Sequence, residues 1–169
     1  MSKFFANPYD ISATGFYFET FEEYTEKASK ARNSHGDKVE EFEIDFIDGE
    51  TIDCELSEAW GINQANIEKY IDCEVSWSDH EKTIFIIAVG ECSYPFDADS
   101  VDPESDFEVD IYHCSSMRDL AEELVDNGLF GDIPEHLANY IDYDAIAADL
   151  SCDYIETTIG GDRLIYSCR

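Results

Sequence analysis

The sequence predicts an α+β protein: elongated, with two small mixed α/β units flanking a mainly helical middle. Three observations carry this prediction. Glu41–Phe46 and Asp106–Ile111 alternate acidic and apolar residues with the period of a strand. Met117–Asn127 repeats its apolar residues with the period of a helix. Tyr154–Ile159, Gly160-Gly161 and Arg163–Cys168 read as strand, turn and strand. The expected boundaries are 1–60 for an N-terminal α+β unit, 61–105 for a central, mainly helical unit and 106–169 for a C-terminal α+β unit.

Taken in chain order, residues 3–6 and 15–19 read as strands around a loop at Pro8-Tyr9-Asp10. Glu22–Arg32 reads as a helix that Asn33-Ser34-His35-Gly36 stops. Val39–Asp48 is a strand with a turn at Asp48-Gly49. A short strand or turn follows over Thr51–Leu56, and Asn63 opens a helix to about Cys73. Thr83–Val89 has β-branched strand propensity. Ser78-Asp79-His80-Glu81 is a capping box, however, and Gly90 is a stop, so a buried helix over 79–89 is expected. Tyr94–Ser105 reads as a loop, 107–112 as a strand and 117–127 as a helix ended by Gly128. Asp132-Ile133-Pro134-Glu135 opens a last helix toward Leu150, with a break near Asp142.

Charge narrows the function classes. Forty Asp and Glu face ten Lys and Arg, a net charge of −30. Neutralising phosphates needs an excess of Lys and Arg, so direct nucleic-acid binding is excluded, and so is docking on an anionic membrane. A charged partner should be basic. Aromatic residues make up 14 % of the chain, enough for a folded core under an acidic skin. The N-terminus lacks the apolar region of a signal peptide, and no apolar run approaches the ~18 residues of a membrane span, so a cytoplasmic protein is expected. The six cysteines contain no C-x-x-C and read as small hydrophobes.

The acids are ordered. One strand face projects Glu41, Glu43 and Asp45 while Phe42, Ile44 and Phe46 turn inward; Asp106, Glu108 and Asp110 repeat the pattern. Every second strand residue is ~6.8 Å from the last, close to the roughly 7 Å through-space step between phosphates of one DNA strand, whose axial rise is ~3.4 Å. In the 117–127 helix, Asp119, Glu122, Glu123 and Asp126 fall on one stripe at i, i+3, i+4, i+7. Like charges at this spacing destabilise a helix, so the negative field itself is the useful property. Residues 1–38 hold five bases against six acids, whereas the remainder is strongly acidic. Salt adaptation would scatter acids evenly; this asymmetry indicates a functional face.

No catalytic constellation is present. The sequence has no P-loop, no G-x-G-x-x-G, no G-x-S-x-G and no H-E-x-x-H. His113-Cys114 has no second pair at zinc spacing. Asp97, Asp99, Asp102, Glu104 and Asp106 loosely resemble a calcium loop, but Asp102 stands where the EF-hand needs Gly. No cofactor and no metal are expected, and no enzyme activity.

Gly128-Leu129-Phe130-Gly131-Asp132-Ile133-Pro134-Glu135, continuing through Leu137 and Asn139-Tyr140-Ile141-Asp142-Tyr143-Asp144 to Asp149-Leu150, resembles the hallmark stretch of the ArdA antirestriction family. Asp110-Ile111-Tyr112-His113 and Met117–Val125 resemble the strand and helix before it. Gly15-Phe16-Tyr17-Phe18, the 22–32 helix and Glu40–Phe46 match more loosely, in the family's order. The resemblance implies an elongated homodimer, encoded by a mobile genetic element, whose carboxylates mimic bent B-form DNA. Such a protein occupies the DNA-binding groove of a type I restriction–modification enzyme in the host bacterial cytoplasm and evades host defence without catalysis. Dimerisation then falls to about 129–146, where Leu129, Phe130, Ile133, Leu137, Tyr140, Ile141 and Tyr143 are more apolar than one helix face needs. Two alternatives keep the same residues: mimicry aimed at another DNA-binding target such as a CRISPR effector, and an acidic calcium-binding or salt-adapted protein.

Overall fold

The structure is a computed structural model and describes residues 2–168. The fold is α+β, and it forms two compact units, Met1–Phe107 and Glu108–Arg169.

Unit 1 begins with an antiparallel sheet of three strands, β1 (Lys3–Pro8), β2 (Phe16–Phe18) and β3 (Phe42–Asp48), in the order β2-β1-β3. Alternation sorts its side chains: Phe4, Ala6, Phe18, Phe42 and Ile44 are buried on one face. Helix α1 (Phe21–Lys30) starts where the Thr20 side chain accepts a hydrogen bond from the Glu23 amide. It lays Tyr24 against Phe18, with ring centroids 5.1 Å apart.

Helix α2 (Thr51–Trp60) replaces the short strand or turn expected over 51–56. Its buried residues Ile52, Asp53, Leu56, Ser57 and Trp60 recur at helical spacing, and Gly61, at φ +64°, terminates it in the left-handed conformation. Helix α3 (Ile67–Ser76) places Tyr70 under the sheet, its ring 5.9 Å from that of Phe4. Helix α4 (Asp79–Phe85) carries the expected capping box, with the Ser78 and Glu81 bonds both formed. It runs into a π-helical segment, Ile86–Glu91, so the expected buried helix over 79–89 is present but wound more widely at its end. Trp60 and Phe85 stack at 5.0 Å, and Phe96 meets Trp60 at 5.1 Å. Burying each such ring stabilises the unit by about 1.5–3 kcal/mol.

The segment read as a loop over 94–105 ends in a short helix, α5 (Pro103–Asp106). That helix shortens the expected 107–112 strand to β4 (Val109–Tyr112). Proline in the first turn suits a helix start, and the Asp106 carboxylate accepts from the Asp102 amide.

Unit 2 is a second antiparallel sheet in the order β4-β6-β5, with β5 (Ile155–Ile159) and β6 (Asp162–Cys168) forming the expected hairpin. Helix α6 (Met117–Asp126) is capped by Ser116 and packs Leu120 against Ile165 and Cys114. The last helix expected from Asp132, with a break near Asp142, is divided there: Glu135–Tyr140 is a 3-10 helix and α7 spans Tyr143–Leu150, separated at Ile141-Asp142. The expected cap at Asp132 is not formed. Asp142 is the residue that caps, its side chain accepting from the Ala145 amide.

Candidate functional site

Carboxylates make up the solvent face. Apart from Asp10, Asp53, Glu55, Glu74, Glu81, Asp110 and Glu122, every Asp and Glu is exposed. The row beginning just before β3 is ordered by its strand: Glu41, Glu43 and Asp45 are exposed while Phe42 and Ile44 are buried. β3 pairs with β1 alone, so this row lies along a sheet edge.

Asp106, Glu108 and Asp110 do not form the second strand row. Asp106 belongs to α5, Glu108 precedes the strand, and Asp110 is half-buried within β4. On α6, Asp119, Glu123 and Asp126 are exposed, and Glu122 is half-buried against Arg118. The Cys114 thiol donates to Glu123 at 3.2 Å. Burial, then that bond, pushes the thiol up to about 11. Arg118 also donates to Asp144 at 2.6 Å, and these carboxylates raise the pKa of its guanidinium.

The apolar candidates divide. Leu129, Phe130, Leu137 and Tyr140 are exposed, Tyr140 by 84 %. Ile133, Ile141 and Tyr143 are half-buried, and Arg118 lies 5.9 Å above the Tyr143 ring. Leu129 and Phe130, with Ile146, Asp149, Leu150 and Asp153, line an open cleft of about 330 Å³.

The sequence reading passed over the polar interior of unit 1. Lys82 and Asp53 form an ion pair, both side chains almost fully buried. The Tyr70 hydroxyl donates to the Asp53 carbonyl at 2.7 Å, and burial raises the Tyr70 pKa. Ser2 donates to buried Glu74 at 2.7 Å. The available signal was Lys82 itself, the lone base between Lys69 and Arg118, set just before an apolar run.

The acids suspected of a calcium loop are engaged locally: Asp97 accepts from the Asp99 amide, Asp106 from the Asp102 amide, and Asp102 from the Ser105 hydroxyl. Among the described residues, no group of three or more His, Cys, Asp or Glu is placed to hold a metal ion. No helix among them is long and apolar enough to cross a membrane.

Fold and surface together define a small acidic α+β protein, its solvent face built of carboxylates and one segment left apolar. The sequence matches the family model Antirestriction protein (ArdA) over residues 9–162, and the chain belongs to that family of antirestriction proteins. No curated protein matches it.

Proposed function

We propose that this protein is a DNA mimic that occupies the DNA-binding groove of a type I restriction–modification enzyme and so protects incoming mobile-element DNA. It acts in the cytoplasm of the host bacterium, as a homodimer and without turnover. The single observation that carries the reading is the row Glu41, Glu43 and Asp45, exposed beside buried Phe42 and Ile44. β3 holds Glu43 and Asp45 ~6.8 Å apart, Glu41 stands one residue before it, and no base interrupts the sequence from Glu40 to Glu68. Asp119, Glu122, Glu123 and Asp126 supply a helical acidic stretch within unit 2, and Asp106, Glu108 and Asp110 add charge without strand order. A net charge of −30 steers the molecule to a basic groove.

The dimer is supported by the exposure of Leu129, Phe130, Leu137 and Tyr140 in one segment; Ile133, Ile141 and Tyr143 flank that contact. A two-fold axis doubles the length of the mimic without new sequence.

The test is inhibition of a purified type I restriction–modification enzyme. Inhibition should fall as duplex DNA is titrated in and as salt rises. Inhibition that persists at saturating duplex, or any cleavage or modification of DNA by this protein alone, would refute the mechanism.

A further inference from the structure

We propose that the outer face of the unit 1 sheet is a guanidinium platform that receives an arginine from the basic partner; the choice of partner rests on the proposed function. Strand register puts Tyr17, Phe5 and Asp45 in one rank across three strands, because Phe5 pairs with Tyr17 on one side and with Asp45 on the other. The next rank holds Asn7 beside Glu43. The opposite face is the buried core, so these side chains point away from it.

The rings form a fixed surface. Phe5 and Tyr17 lie 4.8 Å apart. A Cβ on Gly15 would meet the Phe5 ring at 2.5 Å, so the ring lies directly over backbone that only glycine leaves open. Tyr17 is nevertheless 51 % exposed, and Ile47, the next outward residue of β3, is exposed too. A purely electrostatic face would not present large aromatic residues to water.

The platform already holds a cation. Lys3 Nζ sits 4.8 Å from the centre of the Tyr17 ring. Lysine is a compact charge that covers one ring. Arginine is planar, stacks on a ring and offers a fork of donors to a carboxylate beyond it. Here the carboxylate of Asp45 stands one strand, ~4.8 Å, from Phe5 and two strands, about 9.6 Å, from Tyr17, so an arginine would lie across Phe5 between ring and anion. An arginine that grips a DNA phosphate would here find both an anion and a ring, and Lys3 would give way to it. Acid rows supply long-range attraction; this rank supplies a place for one particular side chain.

The experiment titrates hexa-arginine and hexa-lysine into the isotopically labelled intact protein at moderate salt, following amide shifts. Arginine should bind about two- to fivefold more tightly than lysine, with shifts concentrated at residues 3, 5, 17 and 43–45. Tyr17→Leu should remove that preference, Tyr17→Phe should keep it, and Lys3→Gln should strengthen arginine binding. Tryptophan fluorescence checks that each variant is folded. Equal binding of the two peptides, or a preference that survives Tyr17→Leu, would overturn the platform. Inhibition of the restriction enzyme, measured in parallel, separates the two ideas. Arginine preference without competition by duplex DNA keeps the platform and removes the mimicry. Competition with the preference absent removes the platform alone.

Discussion

The two units place their apolar residues differently. Unit 1 buries Phe4, Phe18, Trp60, Tyr70 and Phe85 in a dense aromatic interior and seals an ion pair inside it. Unit 2 has a thinner core, with Cys114, Leu120 and Ile165 as a central cluster, and leaves Leu129, Phe130, Leu137 and Tyr140 in water. Both show carboxylates to solvent. The difference teaches that charge alone does not divide the labour. Unit 1 sets its ordered acid row on a packed aromatic interior, whereas unit 2 keeps apolar surface exposed, which the proposed dimer would cover.

The largest expected effect breaks unit 1. Lys82→Ala leaves Asp53 charged and buried, and removing one partner of a buried pair costs about 3–5 kcal/mol. Both tryptophans, Trp60 and Trp77, lie in unit 1. Urea unfolding followed by tryptophan fluorescence should therefore shift strongly to lower urea. The double variant Asp53→Leu with Lys82→Met should recover most of the loss, since it leaves no buried charge. A single Lys82→Ala midpoint equal to wild type would mean that the pair is not closed in solution.

The next effect belongs to unit 2. Tyr140→Ala removes a side chain that touches little of its own unit, so monomer stability should change by no more than about 0.5 kcal/mol. Dimer dissociation should be raised by roughly 2 kcal/mol, or thirtyfold, if Tyr140 anchors the contact. Light scattering over a concentration series measures this. A monomeric wild type at micromolar protein and moderate salt would defeat the dimer.

Smaller again is a contrast between two acid groups that look alike in sequence. Neutralising Glu41, Glu43 and Asp45 together should weaken inhibition about tenfold, roughly 0.5 kcal/mol for each charge, the middle of the ~0–1 kcal/mol range of an exposed pair. The matched triple at Asp106, Glu108 and Asp110 should weaken it less, because those residues share no strand face. Equal losses from the two triples would show that total charge, not order, sets the inhibition.

That contrast marks the limit of what the sequence made legible. Alternation found β3 because nothing competes with it there. At 106–111 the same alternation overlaps a helix start, Asp102-Pro103-Glu104-Ser105-Asp106, and the local hydrogen bond from the Asp102 amide to Asp106 took that residue out of the strand. Helix α2 was hidden because Asp53 and Ser57 stand on its buried side, which disguises the helical period as a polar turn. The break near Asp142 was legible and a side-chain cap restarts the helix there, whereas the 3-10 winding of the segment before it was not. The acid rows were readable as candidates since exposure is the default for Asp and Glu. The Tyr17, Phe5 and Asp45 rank was not, because it depends on strand register, and helix α1 with its flanking loops separates β3 from the other two strands in the chain.

The smallest effect concerns alkaline pH and a thiol in each unit. Cys73 in unit 1 and Cys114 in unit 2 are both pushed from 9.0 up to about 11, first by burial. A raised pKa means that the folded state holds the proton more tightly than the unfolded chain. The associated stability is whole below about pH 9 and is lost as pH climbs toward 11. Asp72 adds to the effect at Cys73, whereas at Cys114 the second cause is the bond to Glu123. Glu123→Gln should therefore lower the Cys114 pKa part of the way and leave Cys73 alone. Thermal midpoints at pH 8 and pH 10 should fall less in the variant than in wild type, by under ~1 kcal/mol in stability. Lysine and tyrosine titrations are common to both proteins and cancel in the comparison. A variant that loses as much stability as wild type between those two pH values would show that burial alone holds the Cys114 proton.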